Sequence, residues 1–329
     1  MARWMWRNAT ERRPPAKLRT LTRKIWPDFG QLTHNRRALA YSAGHSNYPE
    51  TSVMNDRADH CPSLVPWAAA FLLAAAAPAH ALVIGVTEGV TYQASDSQIE
   101  AKFEPIAEAL GKALKQPVTI KVLSSYRSAR EALKDNQVDL AFVHPAHVAF
   151  EATKAGNFKT LAWTAGFTDY KVSFLCKDLQ AISNWKEIAG KSLVMPDPDS
   201  ITSVITRAML REQGLQEGAV KTTNTRYQDA VPFYVQNGFA SYGATASASV
   251  VKAWMSTGGK TCAESRAVPI KQWLAASKLD ASTIATVRDT LLGLGQSDAG
   301  KRALTISTYT GFIAPSAEVE KTLMTWLGI

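Results

Sequence analysis

The sequence predicts an exported α/β protein built on mostly parallel sheet, and three observations carry that expectation. From Leu82 onward, short β-branched apolar runs exchange regularly with stretches of helical period. Upstream, "VPWAAAFLLAAAAPAHA", Val65 to Ala81, is an apolar core ending in Ala-His-Ala, the small-x-small pattern of signal peptidase cleavage. Finally, hydroxyl and aromatic residues gather at strand-to-helix turns, where parallel sheets bind their ligands.

The elements follow in order. "ALVIGVT" reads as a buried strand and "QIEAKFEPIAEALGKAL" as an amphipathic helix ending near Lys115. "VTIKVLS" is a strand, "YRSAREALKDN" a helix, "VDLAFVH" a strand, and "PAHVAFEATKAG" a helix begun by Pro145 and ended by Gly156. "KTLAWTAG" and "YKVSFLCK" continue the rhythm. In "SLVMPDPDSITSVITRAMLREQGL", Ser192 to Met195 form a strand, and Pro196 and Pro198 hold the chain out of the α region until Asp199. A helix then runs with Val204, Ile205, Ala208 and Met209 on one face and stops at Gly214. "DAVPFYVQNG", "ASYGATAS", "ASVVKAWMSTGG" and "KTCAESR" repeat the alternation, which gives way to helix-rich sequence after Asp280.

Of the 329 residues, 1–53 show no period and read as an unstructured or mis-assigned leader, with Met54 opening a signal peptide that covers 54–81. The apolar core is too short to span a bilayer, and no later segment approaches the roughly 18 apolar residues a membrane helix needs. The formal charge of +9 is concentrated in the leader. Residues 1–53 hold ten Lys/Arg against Glu11, Asp28 and Glu50, and 54–81 add Arg57 against Asp56 and Asp59, which leaves +3 for the remainder. That balance carries no basic stripe and excludes a nucleic-acid reading.

The candidate anion site is the turn Asp199 to Ser203. Ser200, Thr202 and Ser203 put three hydroxyls beside the unpaired N–H groups and positive dipole of a helix start. One hydroxyl would suffice as a cap. Ser125 and Tyr126, His144 before Pro145, and Gln228 after Tyr227 occupy the other junctions, and Tyr92 follows the first strand. His144 and His147 share a helical turn, but the chain beyond Ala81 has no further His, and Cys176 and Cys262 are not at ligand spacing, so no metal is expected. Glu104 and Glu108 read as a solvated face. No cofactor and no catalytic residue is expected, because no Ser-His-Asp order or Cys-His pair accompanies these groups.

The ordered runs "VIGVTEGVTYQ", "YRSAREALKDNQVDLAFVHPAHVAFEA", "GFTDYKVSFLCKD", "WKEIAGKSLVMPDPDSITSVITRAMLREQGL" and "YQDAVPFYVQNGFASYGA" resemble the periplasmic phosphate/phosphite/phosphonate-binding proteins of ABC importers. The resemblance covers essentially all of 82–329. It implies the type II periplasmic-binding-protein fold, two α/β lobes joined by two hinge strands, with 82–173 and 263–329 in lobe 1 and 174–262 in lobe 2. It implies a monomer that captures a small oxyanion in the periplasm and delivers it to an inner-membrane permease. The family's Ser-Thr-Ser-Gly turn falls on Ser200-Ile201-Thr202-Ser203, where Ile201 lacks a hydroxyl and Ser203 replaces the glycine. Gln228 falls where many relatives have His, and Ser241 where many have Asp. Ser241 cannot pair an ammonium, so an uncharged-tail or inorganic phosphorus oxyanion is expected over an aminoalkyl phosphonate. A ligand sensor of the same fold signalling to a membrane partner is the alternative. The effector domain of a regulator is less favoured, because the signal sequence lies where a DNA-binding module belongs. Cys176 and Cys262 fall on the strands the resemblance places at the lobe crossing, and an oxidising compartment would bond them.

The protein recovered from the cell envelope is expected to begin at Leu82 on N-terminal sequencing. A soluble form starting upstream of Leu82 would reject cleavage after Ala81.

Overall fold

The computed structural model describes residues 81–88, 94–179 and 181–329. The leader 1–53 and residues 54–80 of the expected signal peptide lie outside the described residues. In chain order the strands are β1 Leu82–Thr87, β2 Val118–Val122, β3 Leu140–Val143, β4 Phe158–Thr164, β5 Ser173–Cys176, β6 Ser192–Met195, β7 Lys221–Asn224, β8 Tyr242–Thr245, β9 Lys260–Glu264, β10 Gln272–Ala276 and β11 Phe312–Ile313. The helices are α1 Asp96–Leu114, α2 Tyr126–Lys134, α3 Ala146–Lys154, α4 Ile201–Glu212, α5 Val231–Gln236, α6 Ala248–Ser256, α7 Ala281–Gly293, α8 Asp298–Ser307 and α9 Ala317–Leu327.

These strands make two sheets, ordered β11, β4, β10, β3, β1, β2 and β7, β6, β8, β5, β9. In the first sheet β1 lies parallel between β2 and β3, and β10 runs antiparallel between β3 and β4. In the second, β6 lies parallel between β7 and β8, and β5 runs antiparallel between β8 and β9. Each sheet is therefore a parallel core joined to a strand that arrives from or leaves for the other lobe, the two-lobed type II arrangement.

Local chemistry sets the element ends. Ser95 caps α1 in a box with Gln98, and Ile99, Phe103, Ile106, Ala107 and Leu110 bury one face at spacings of three and four. Gly214 ends α4 with φ of 78°, and the Leu215 N–H donates to the Leu210 carbonyl, the wrap that sequence spacing predicts there. At Gly243 on β8 an added Cβ would stand 2.6 Å from Val231 and 2.9 Å from Val235, so α5 sits on the sheet only because that position is glycine. Asp280, Ser297 and Ser316 cap the three helices of the C-terminal stretch.

Two segments carry the chain between the sheets and run side by side. Tyr170 bridges to Val268, the N–H of Val268 donates to the Tyr170 carbonyl at 3.0 Å, and that of Ile270 to the Phe167 carbonyl at 3.0 Å. Val172 and Ser265 close the pair through the Val172 carbonyl and the Ser265 hydroxyl, each at 2.9 Å. A third element also spans both sides. In α9, Glu320 accepts from the Trp163 indole of β4, while Leu323 and Leu327 join the apolar cluster around Ile205, Met209 and Leu215. Ala146 and Phe150 of α3 enter the same cluster, so the lobes share one buried apolar seam. No helix among the described residues is long and apolar enough to cross a membrane.

Cys176 and Cys262 meet across β5 and β9, with Cα atoms 6.0 Å apart, inside the range a disulfide spans. The bond would close a loop across a separation of 86 residues, worth about 4.6 kcal/mol in chain entropy. The chain from Leu82 onward, denatured without reductant, is expected to show no free thiol on titration and to melt lower once reduced. Two reactive thiols per chain would reject the bond.

Candidate functional site

The α4 start forms as the prolines dictate, but its hydroxyls divide. Ser200 is the N-cap, accepting from the Ser203 N–H at 3.2 Å, and the Ser203 hydroxyl donates to the Pro196 carbonyl at 3.0 Å. Both are buried and turned to the helix's own ends. The Thr202 hydroxyl instead meets the phenol of Tyr170 at 2.8 Å, on the first crossing segment. Asp199, one residue before the cap, faces lobe 1. Arg130 of α2 donates to both its carboxylate oxygens, at 2.5 and 2.8 Å, and holds Glu151 of α3 at 2.7 Å with its Nε. His147 Nε2 lies 3.5 Å from the same carboxylate, too loose for a hydrogen bond. Burial opposes the charge on Asp199, but the Arg130 guanidinium on both its oxygens outweighs it and holds this acid well below the usual carboxylate range.

The remaining junction residues separate in the same way. Ser125 caps α2 through the Ser128 N–H at 3.0 Å, and Tyr126 is buried with its ring 6.3 Å from that of His147. Tyr92 lies outside the described residues. His144 and Gln228, in contrast, line a cavity of about 360 Å³ between the lobes, together with Tyr170, Asp169, Ser247 and Lys271. That volume stands at the small end of ligand pockets. The Gln228 amide is fixed by its oxygen, which accepts from Thr245 at 2.9 Å and the Ala246 N–H at 2.6 Å, and its nitrogen points to the Tyr170 phenol at 3.5 Å. The structure thus joins Thr202, Gln228 and His144 around Tyr170, and sets Ser125, Ser200 and Ser203 to capping.

His144 Nδ1 lies 3.0 Å from the Ile270 carbonyl, which can only accept, so Nδ1 carries the proton and Nε2 is the lone-pair acceptor of a neutral ring. Burial and the nearby Lys271 push its pKa down to about 4. A neutral acceptor suits a hydroxyl on the ligand better than a bare oxyanion oxygen.

Behind the cavity wall is a cluster that sequence reasoning missed. Glu88, just after β1, takes Lys102 of α1 on both oxygens at 2.7 Å, accepts from the Tyr309 phenol, and has Lys271 Nζ at 3.4 Å. Lys271 is 2% exposed, lies 3.2 Å from the Tyr309 oxygen, and stands 4.5 Å over the Phe167 ring. Burial pushes its pKa down to about 8 against the pull of Glu88. The available signal was an acid at the carboxyl end of the first strand, in "VTEG", and a lysine abutting the apolar run "QWLAA".

The sequence pattern of the family described as the periplasmic substrate-binding protein of the phosphonate ABC transporter matches residues 89–319. Among solved structures the fold is similar to a Xanthomonas citri protein bound to ATP, at 15% identity, covering 75% of this chain and 96% of that one with a TM-score of 0.61. It is similar to PhnD1 from Prochlorococcus marinus in complex with methylphosphonate, at 15% identity, 75% and 96% coverage and a TM-score of 0.56. A binding protein component of an ABC phosphonate transporter from Pseudomonas aeruginosa matches at 14% identity, 75% and 85% coverage and a TM-score of 0.52. No curated protein matches the chain in sequence.

The His144 environment sets a pH dependence. Below pH ~6.5 the unfolded chain takes a proton that the folded ring refuses until about pH 4, so folding loses about 1.4 kcal/mol per pH unit across that window. Urea unfolding between pH 7 and 4 is expected to show a steeper loss for the wild type than for His144→Gln. Parallel profiles would overturn the assignment of a neutral, buried ring.

Proposed function

From the premise that this chain belongs to the periplasmic substrate-binding proteins of phosphonate ABC transporters, we propose that it captures a small phosphorus oxyanion for an importer. Phosphate, phosphite and phosphonates with an uncharged tail are the ligand class. Capture takes place in the interlobe cavity after export to the periplasm, and the loaded monomer is presented to the permease in the inner membrane.

The observation that carries this reading is the composition of the cavity wall. Neutral donors and acceptors on Tyr170, Gln228, His144 and Ser247 face one small space, each on a separate element. Ser247 is the N-cap of α6, so the start of that helix also points its dipole at the cavity. Thr202 supports the site through the Tyr170 phenol rather than from the α4 turn directly. Groups fixed in this way bind an anion with little ordering cost and offer no nucleophile to attack it. The acid at the cavity edge, Asp169, is an exposed side chain 3.5 Å from Lys171, and Ser241 lies on the far strand end beside Ser192. Among the described residues, a ligand ammonium therefore finds no buried carboxylate in this wall.

Melting of the purified protein with phosphate, phosphite, methylphosphonate, 2-aminoethylphosphonate and sulfate tests the reading. A ligand at 100 times its Kd adds about 2.7 kcal/mol, which raises the Tm of a domain this size by roughly 5–10 °C. The expected order places an uncharged phosphorus oxyanion first. A null response across the panel, or preference for the aminoalkyl compound, would overturn it.

A further inference from the structure

We propose that His144 selects the ligand by its proton: the Nε2 lone pair accepts from a hydroxyl of the bound oxyanion, so the cavity takes phosphorus oxyanions that still carry a P–OH group and turns away sulfur oxyanions, which carry none. The inference rests on reading the interlobe cavity as the oxyanion site.

The ring is held in one tautomer. Its Nδ1 must donate, because the Ile270 carbonyl at 3.0 Å can only accept, and Nε2 is left with a lone pair. Nε2 makes no hydrogen bond to the described residues, yet it is not sealed from solvent as both nitrogens of His147 are. It therefore opens on the cavity that the ring lines. The titratable groups facing the ring are Lys271, Glu88 and His147; burial, Lys271 and His147 keep it neutral down to about pH 4 against the pull of Glu88. An imidazolium, which could donate to a bare oxygen, does not form near neutrality.

Gln228 is fixed in the opposite sense. Its oxygen is taken by two donors, the Thr245 hydroxyl at 2.9 Å and the Ala246 N–H at 2.6 Å, and the second of these can never accept. A flipped amide would set N–H against N–H, so the amide nitrogen is what faces the Tyr170 phenol in the cavity wall. The cavity thus offers a lone pair at His144 and N–H donors at Gln228, which is complementary to a ligand with one hydroxyl and further unprotonated oxygens. The monoanion of methylphosphonate has both. Methanesulfonate has the same tetrahedral shape and the same charge but only acceptor oxygens, so a lone pair would meet a lone pair where water has been expelled. A site built to hydrogen-bond a ligand hydroxyl rejects the analogue that lacks it far more strongly than an apolar pocket rejects a change of size.

Calorimetric titration at about pH 5.5 tests the proposal, because there His144 is neutral and a phosphorus oxyanion whose second ionisation lies near pH 6 or above keeps its hydroxyl. Phosphate, phosphite and methylphosphonate are compared with methanesulfonate and sulfate on the purified wild type, His144→Gln and His144→Asn, beside ligand-free melts. The wild type is expected to bind its best phosphorus ligand at least about a hundredfold more tightly than either sulfur ligand. In the variants an amide can turn its nitrogen toward a bare oxygen, so the preference should shrink to within about tenfold, with a gain for the sulfur ligands. A merely structural role for His144 would weaken all ligands alike and leave the ratio unchanged. If one variant fails to melt cooperatively the other carries the same expectation, and the wild-type ratio needs neither. A wild-type ratio below about tenfold, or a folded variant that keeps the wild-type ratio, overturns selection by His144 and leaves the proposed function standing. Failure of the wild type to bind any of the three phosphorus ligands overturns both.

Discussion

The backbone pairing of the two crossing segments is the constraint on which the rest depends. Tyr170 and Val268 form the bridge, and Phe167 with Ile270 and Val172 with Ser265 extend it on either side. This pairing joins the two sheets, and it also composes the cavity. Tyr170 is the bridge residue itself, the Ile270 carbonyl fixes the proton of His144, and Lys271 comes next in the chain. A cavity built on the crossing would keep its core geometry if the lobes rotated about it, while groups farther out, such as Gln228 and Ser247, would move with lobe 2. Such hinges close over ligands by changing few backbone angles.

What opposes rotation is mainly apolar. The Arg130 pair with Asp199 crosses between α2 and the turn before α4, but its side chains are 33% and 43% exposed. An ion pair so placed is worth at most about 1 kcal/mol. The seam formed by Phe150 with Ile201, Ile205 and the α9 leucines is dry and larger, and each such side chain contributes about 1.5–3 kcal/mol on full burial. The ion pair fixes register across the seam rather than strength. It also explains the α4 turn. Asp199 already places a carboxylate by the helix start, so the hydroxyls behind it serve the helix and its neighbours.

Periodicity made the alternation and the central strands legible, since β1 and β3 are buried on both faces and read as unbroken apolar runs. It could not separate a hydroxyl that caps from one that faces a ligand. Ser200 and Thr202 are both buried residues at the start of the helix, and only the third dimension turns one toward Ser203 and the other toward Tyr170. β7, "KTTN", is exposed at every position and has no pattern to read; it exists because β6 offers it an edge. β10, "QWLAA", is fully buried, but its alanines gave no strand signal. Lys271 was invisible for the same reason. Its meaning lies in Glu88, 183 residues away, and no local rule connects them. The span of α9 was likewise hidden, because its amphipathic face names no partner.

The buried charges behind the cavity hold one another in place. An unpaired lysine would leave the interior or lose its proton. Glu88 avoids both outcomes by giving its short contacts to Lys102 and a longer one to Lys271. Burial pulls the pKa of the second ammonium down to about 8, so it stays mostly charged at neutral pH. Under the proposed function, opening the lobes would withdraw Gln228 and Ser247 from a ligand while leaving the Glu88 cluster, which lies within one lobe, undisturbed.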